Sequence, residues 1–304
     1  RLVGPYGDGG IRLGGPDVEE VDDNSKADVL VVAQCAFSLW RRRPLWDALW
    51  NEPAIRERPE RVVLTDCSDD WPLPPLPGVI YARCGLTGAQ LREYPSAVAI
   101  AWPAPDLSPW EEVYPGKPFL YDVGFVGWRT PRPETEVAVE SVRREFGDRA
   151  RLEVFDGFHG HRHPRAGNHR RGEPMDDPET EAREHLYRHV LFSSRLLLSP
   201  QSIEGVLRYR FFEAASAARV PVLVGNDYVI PRAEGRSWGE VFPEILPNAA
   251  GDTGPILREW LSDLTDDEIR TRGKLLQGFY RTHWHKDRQP EITAEIVRER
   301  LGIA

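Results

Sequence analysis

Residues 207–231 read LRYRFFEAASAARVPVLVGNDYVIP. Leu207, Phe211, Ala214, Ala215 and Ala218 recur at helical spacing, so one face of a helix is apolar. VPVLVG (220–225) is apolar on both sides, as a strand covered by helices must be. The stretch therefore predicts a helix beginning near residues 205–208 and leading into a buried strand. Such a helix start carries open amides and the positive end of the dipole, which favour an anion. Arg208 and Arg210 in that first turn oppose the dipole of a bare helix. They fit a bound phosphate or diphosphate, which guanidinium groups hold bidentately. Glu213, three residues beyond Arg210 on the same face, could accept from ribose hydroxyls. The same pattern also fits an Arg210–Glu213 surface pair with Arg208 reaching to water, and local spacing does not choose.

Outward from this stretch the chain alternates strands and helices. FLYDVGFVG (119–127) is a strand running into a glycine turn, and PETEVAVESVRREFG (133–147) a helix stopped by glycine. RLEVFDG (151–157) is a strand, DDPETEAREHLYRHVLFSS (176–194) a helix with an acidic start, and RLLLSP (195–200) a strand. Three helices follow, at 252–264, 265–284 and 292–302, with Asp252 and Thr265 as caps. Toward the N-terminus, DVLVVA (28–33), RVVLTD (61–66), GVIYAR (78–83) and AVAIAW (97–102) read as strands, and 44–58 has helical spacing. Residues 103–118 carry five prolines and read as a linker. Strands alternating with helices on both sides of it predict two α/β units, each with a parallel sheet, and a cleft between them.

The totals agree. The chain has 304 residues, enough for two domains of ordinary size, and 40% hydrophobic residues for their cores. A net charge of −9 argues against a nucleic-acid partner. No run approaches the length of a membrane span and no signal peptide is visible, so the expected location is the cytoplasm, although the chain opens at Arg1 rather than Met. Cys35, Cys67 and Cys84 show no metal spacing and read as buried free thiols in a reducing compartment. Ten tryptophans are many; they fit a core, or the flat faces of a sugar cleft.

Arg210, Phe211, Glu213, Ala214, Pro221, Val222 and Pro231, with LYRHVLFSSRLLLSP (186–200) before them and Trp238 in GRSWGEVFPEI (235–245) after, resemble the C-terminal part of the exostosin family of glycosyltransferases. FLYDVGFVG is similar to the family's glycine turn, and 256–284 to its helical close. The match covers about residues 119–285. VVLTDCSDDW (62–71) is similar to the family's strand ending in a carboxylate, more weakly. The resemblance implies an α/β GT-B enzyme, two Rossmann-like domains facing across a cleft. Residues 1–112 would bind the acceptor and 113–285 the nucleotide-sugar donor, with 286–304 a C-terminal helix packing back on the first domain. It implies a UDP-sugar donor, an acceptor hydroxyl on a small molecule or glycan, inversion by single displacement, and no metal or other cofactor. The donor set would be Gly127, Arg129, Ser199, Arg208, Arg210 and Glu213, with the arginines on the diphosphate and Glu213 on the ribose. A fucosyltransferase-like GDP-sugar enzyme is the alternative, but its Glu-Lys-Phe pattern is absent. A non-catalytic nucleotide-sugar-binding protein is a further one. The Arg, Ala and Pro content fits a GC-rich bacterial genome.

The base that takes the acceptor proton is expected from the first domain. Asp66 ends a strand at the carboxyl edge of a sheet, where catalytic groups often sit, and Asp69 and Asp70 follow closely. A solvated acidic loop is the plainer alternative. FHGHRHPRAGNHRR (158–171) has His159, His161, His163 and His169, but no carboxylate or cysteine completes a zinc set, so a polar loop is the better reading. RRRPLW (41–46) is too short for a nucleic-acid patch, and the glycine-rich 7–15 lacks the flanking strand and helix of a phosphate loop.

Overall fold

The computed structural model describes residues 28–32, 43–66, 78–101, 104–111, 118–128, 132–155, 178–201, 207–232 and 238–302. They form two parallel α/β sheets, so the expectation of two Rossmann-like domains is met.

The first sheet runs β1 (Leu30–Val32), β2 (Val62–Asp66), β3 (Ile80–Cys84) and β4 (Ala97–Ile100), all parallel and in that order. Alternate residues face opposite ways, so each strand feeds two apolar layers. Leu30, Val32, Val62, Leu64 and Tyr81 meet Trp46 and Ile55 on one face. Val63, Ile80, Ala82, Cys84 and Ile100 form the layer on the other. That is why the strands read as continuous apolar runs. The helical spacing of 44–58 resolves into α1 (Arg43–Trp50) and α2 (Pro53–Glu57). Pro53 heads α2 and holds Glu52 extended, at φ −62° and ψ 121°, which breaks the helix there. After β3, Thr87 starts α3 (Gly88–Glu93) with a reciprocal capping box to Gln90.

In the expected linker, Ser108–Glu111 forms a single turn, α4. Leu107 is buried and its N–H donates to Ser216 Oγ at 3.1 Å, which ties the connection to the second domain.

The second domain contains β5 (Tyr121–Trp128), α5 (Pro133–Phe146), β6 (Ala150–Phe155), α6 (Pro178–Ser193), β7 (Ser194–Pro200), α7 (Tyr209–Ser216), β8 (Val220–Val224), β9 (Glu244–Ile245), α8 (Thr253–Ser262) and α9 (Asp266–Phe279). Its sheet order is β6-β5-β7-β8-β9, all parallel. Counted from β5, this is the doubly wound order 2-1-3-4-5, whose direction reverses between the first and third strands. Asp252, expected to cap α8, makes no side-chain cap bond. Ser141 of α5 does that work instead, accepting from Gly254 N at 3.0 Å. Thr265 caps α9 as expected, with Glu268 completing the box.

After α9 a π-helical turn, Tyr280–Trp284, leads to α10 (Gln289–Leu301), which lies on the first sheet. Val297 is buried with Val63 and Ile80, and the Gln289 amide and Arg300 guanidinium donate to the carbonyls of Ala101 and Pro95. The carboxyl ends of β3 and β8 also meet. Thr87 and Tyr228 form an antiparallel bridge, Val229 N donates to Leu86 O at 2.9 Å, and Asp227 Oδ2 accepts from Ala89 N at 2.7 Å at the start of α3. The edges at which loops carry chemistry therefore face one another. No described helix is long and apolar enough to cross a membrane.

Candidate functional site

In an open parallel sheet, ligands bind outside the carboxyl ends of the strands where the order reverses. Here that point lies between β5 and β7. Gly127 stands near the end of β5 and Ser199 near the end of β7, and α7 begins just beyond. Topology thus brings to one edge what the sequence had placed 72 positions apart (127 to 199).

Ser199 is buried, and its Oγ has no hydrogen-bond partner among the described residues. A buried hydroxyl left without a partner is costly unless something else takes the bond. At Gly127 an added Cβ would fall 2.4 Å from Phe125 Cζ, so this glycine makes room for that ring. The ring in turn supports Arg210.

Helix α7 starts later than the spacing predicted. Arg208 is the N-cap residue, extended at φ −99° and ψ 164°, and half-buried; it lies just before the first turn, not inside it. Arg210 does lie in the first turn. Its guanidinium carbon sits 5.6 Å from the Phe125 ring centroid and 5.5 Å from that of Tyr187. Among the described residues no hydrogen bond or ion pair occupies its N–H groups. Ring faces hold the cation in place, and no described residue takes its donors.

Glu213 does not form a surface pair with Arg210. It is buried, and its Oε2 accepts from the Tyr187 hydroxyl at 2.6 Å across the gap between α6 and α7. Burial raises its carboxyl above the usual 4.5, while the Tyr187 bond and the nearby Arg210 charge pull it back in part. The Tyr187 phenol is held well above its usual range, first by burial and then by the Glu213 charge. A raised carboxyl means that the folded protein holds its proton more tightly than the unfolded chain. The stability this contributes is present below about pH 4.5 and is lost as pH rises through the folded value. Relative to Glu213→Gln, the wild type is therefore expected to lose melting temperature as pH rises from 4.5 toward neutrality. Melts of both proteins across that range measure it; a constant difference would refute the raised carboxyl.

Asp66 ends β2 at the carboxyl edge of the first sheet, opposite Arg83 in register. Asp69, Asp70 and Arg129 lie outside the described residues, as do Cys35, Cys67, the histidines of 158–171 and the glycines of 7–15. Cys84 is buried and in no disulfide, its Sγ 3.4 Å from Ala101 O. Among the described residues no group of three or more His, Cys, Asp or Glu could hold a metal ion. Trp46, Trp238 and Trp284 are core residues, not an exposed sugar platform.

Two features of the site were not singled out from the sequence. Tyr187 is one: its place in LYRHVLFSS gives no sign that it faces Glu213. Gln201 is the other. It is buried just past β7, donates to Asn226 O at 2.5 Å and accepts from Asn226 N at 3.0 Å, which ties together the ends of β7 and β8.

No protein-family model matches the chain, and no curated protein does. Among solved structures it is similar to a glycosyltransferase from Rickettsia africae ESF-5, at 14% identity over 94% of this chain and 85% of that one, with a TM-score of 0.49. It is also similar to TarM, at 9% identity over 78% of this chain and 55% of that one, with a TM-score of 0.42. A third is AviGT4, a glycosyltransferase involved in avilamycin A biosynthesis, at 15% identity over 80% and 75%, with a TM-score of 0.38. Likeness at these identities and scores assigns this chain neither a donor nor an acceptor, and nothing among them singles out the exostosin family.

Proposed function

We propose that the chain is a GT-B glycosyltransferase that moves a sugar from a nucleotide-sugar donor, a UDP-sugar, to an acceptor hydroxyl on a small molecule or glycan, with inversion. The observation that carries this reading is Arg210: a cation held by two ring faces, its donors taken by no described residue, in the first turn of a helix at the switch point of a parallel sheet. The α7 amides, Arg208 and Arg210 would take the diphosphate, and the Ser199 hydroxyl lies at the end of the adjoining strand. Glu213 would take the ribose; a carboxylate has about four acceptor sites, so the Tyr187 bond does not exhaust it.

The reaction needs two things from the protein. The acceptor oxygen attacks the anomeric carbon as the bond to the diphosphate breaks, and that electron pair leaves with the diphosphate. Cations placed in advance stabilise the leaving charge. The hydroxyl proton passes to a carboxylate of the first domain, for which Asp66, Asp69 and Asp70 are the candidates. The meeting of the two carboxyl edges supports this division between domains.

Thermal melts against UDP-, GDP-, dTDP- and CMP-sugars test the reading. A ligand at about a hundred times its Kd adds ~2.7 kcal/mol, a rise of roughly 5 °C or more for a chain of this size. UDP-sugars are expected to give that rise. Arg210→Ala is expected to weaken binding about tenfold to a hundredfold, since hydrogen bonds to a charged group contribute ~1.5–3 kcal/mol. Stabilisation by GDP-sugars alone would replace the donor assignment. No response to any nucleotide would overturn the proposal.

A further inference from the structure

Tyr187 touches both polar arms of the candidate site. Its hydroxyl donates to Glu213 Oε2 at 2.6 Å, and its ring lies 5.5 Å from the Arg210 guanidinium carbon. It belongs to α6, whereas Arg210 and Glu213 belong to α7. Leu191 and Phe192 of α6 are buried with Leu197, Ala214 and Ala217, and Tyr187 packs against that cluster, so the two helices share one face of the sheet. The phenol stays protonated at any working pH, which keeps it a donor to the carboxylate.

We propose that Tyr187 is a positioning residue for the donor site: its O–H orients the Glu213 carboxylate toward the ribose, and its ring face orients the Arg210 guanidinium toward the diphosphate. This rests on the nucleotide-sugar reading above. It makes the two arms separable. Tyr187→Phe keeps the ring beneath Arg210 and deletes the hydrogen bond to Glu213, whereas Tyr187→Leu removes the ring as well.

The test is calorimetric titration of the full chain with UDP and GDP, which carry a ribose, and with inorganic pyrophosphate, which does not. Tyr187→Phe is expected to weaken the better of the two nucleotides about fivefold to tenfold, the worth of one ordinary hydrogen bond, because the bond lost orients the carboxylate and does not itself touch the ligand, and to leave pyrophosphate within about twofold of wild type. Tyr187→Leu is expected to weaken both nucleotide and pyrophosphate. The ratio of the two affinities is the readout, because a merely structural role would move both together. If the wild type binds nucleotide and Tyr187→Phe leaves that binding unchanged, or weakens nucleotide and pyrophosphate equally, the inference is wrong while the donor site stands. If the wild type binds neither UDP, GDP nor pyrophosphate, both readings fall.

Discussion

Trp284→Ala is expected to lower the melting temperature by roughly 10 °C. Trp284 closes the π-helical turn after α9 and is 1% exposed. Its ring centroid lies 5.4 Å from those of Phe211 and Phe212 and 4.6 Å from that of Phe279. Its Nε1 donates to Pro231 O at 2.8 Å. Truncation removes one of the largest buried side chains among the described residues and leaves a cavity beneath α7, at a cost of ~3–5 kcal/mol. In a chain of this size each kcal/mol moves the midpoint by about 2–4 °C. Trp284→Phe keeps most of the apolar volume and loses only the bond to Pro231, so about 1–3 kcal/mol should be lost instead. Differential scanning calorimetry of the three proteins measures this. A Trp284→Ala midpoint within 2 °C or so of wild type would mean that the aromatic cluster is not the core it is taken for. Because Phe211 and Phe212 belong to α7, loss of the tryptophan is also expected to weaken the proposed nucleotide binding, through a looser helix.

Gly273→Val is also expected to destabilise the fold, for the opposite reason, too much volume rather than too little. An added Cβ at Gly273 would fall 2.1 Å from Ala218 O and 2.6 Å from Ala218 C. Those are backbone atoms of the turn between α7 and β8, and that turn has little room to yield. Ala218 already holds a left-handed conformation at φ 54°, and Arg219 N donates to Ala214 O at 2.8 Å. One turn along α9, Gln277 Nε2 donates to Ser216 O at 2.8 Å, which fixes the helix against the same turn. Replacing glycine in a helix gains at most ~1 kcal/mol in propensity. Overpacking against fixed backbone costs ~1–3 kcal/mol or more, so the clash wins. Urea titration should show a lower midpoint with a similar slope, and Gly273→Ala should lie between Gly273→Val and wild type. Unchanged midpoints for both variants would refute the close approach.

The two predictions concern positions that local pattern treats very differently. Trp284 ends a helical stretch whose apolar spacing is readable, so its burial is unsurprising. Gly273 looks in sequence like a tolerated glycine within a helix. Only the crossing of α9 over the α7–β8 turn, 55 residues earlier (273 minus 218), makes it a point of closest approach.

What the sequence determined by itself was what ten or so neighbouring residues can encode. The strands around Val63, Val123, Leu197 and Val222 follow from apolar runs with period two on both faces. The capping box at Thr265, the proline break before α2 and the glycine stop at Gly147, with φ 52°, are local in the same way. The helix–strand pair of α7 and β8, with an arginine in the first turn, was legible too. Tertiary structure alone decided which residues meet. The order β6-β5-β7 brings Gly127 and Ser199 to one edge. The packing of α6 beside α7 turns Glu213 inward to Tyr187, 26 residues away, in place of a surface pair with Arg210. Ser141 replaces Asp252 as a cap, and Asp227 reaches across 138 residues to Ala89. The physical reason is that hydrophobic period and capping chemistry fix an element and its buried face. Which neighbour covers that face depends on strand order and helix crossing, and these emerge only when the whole chain packs.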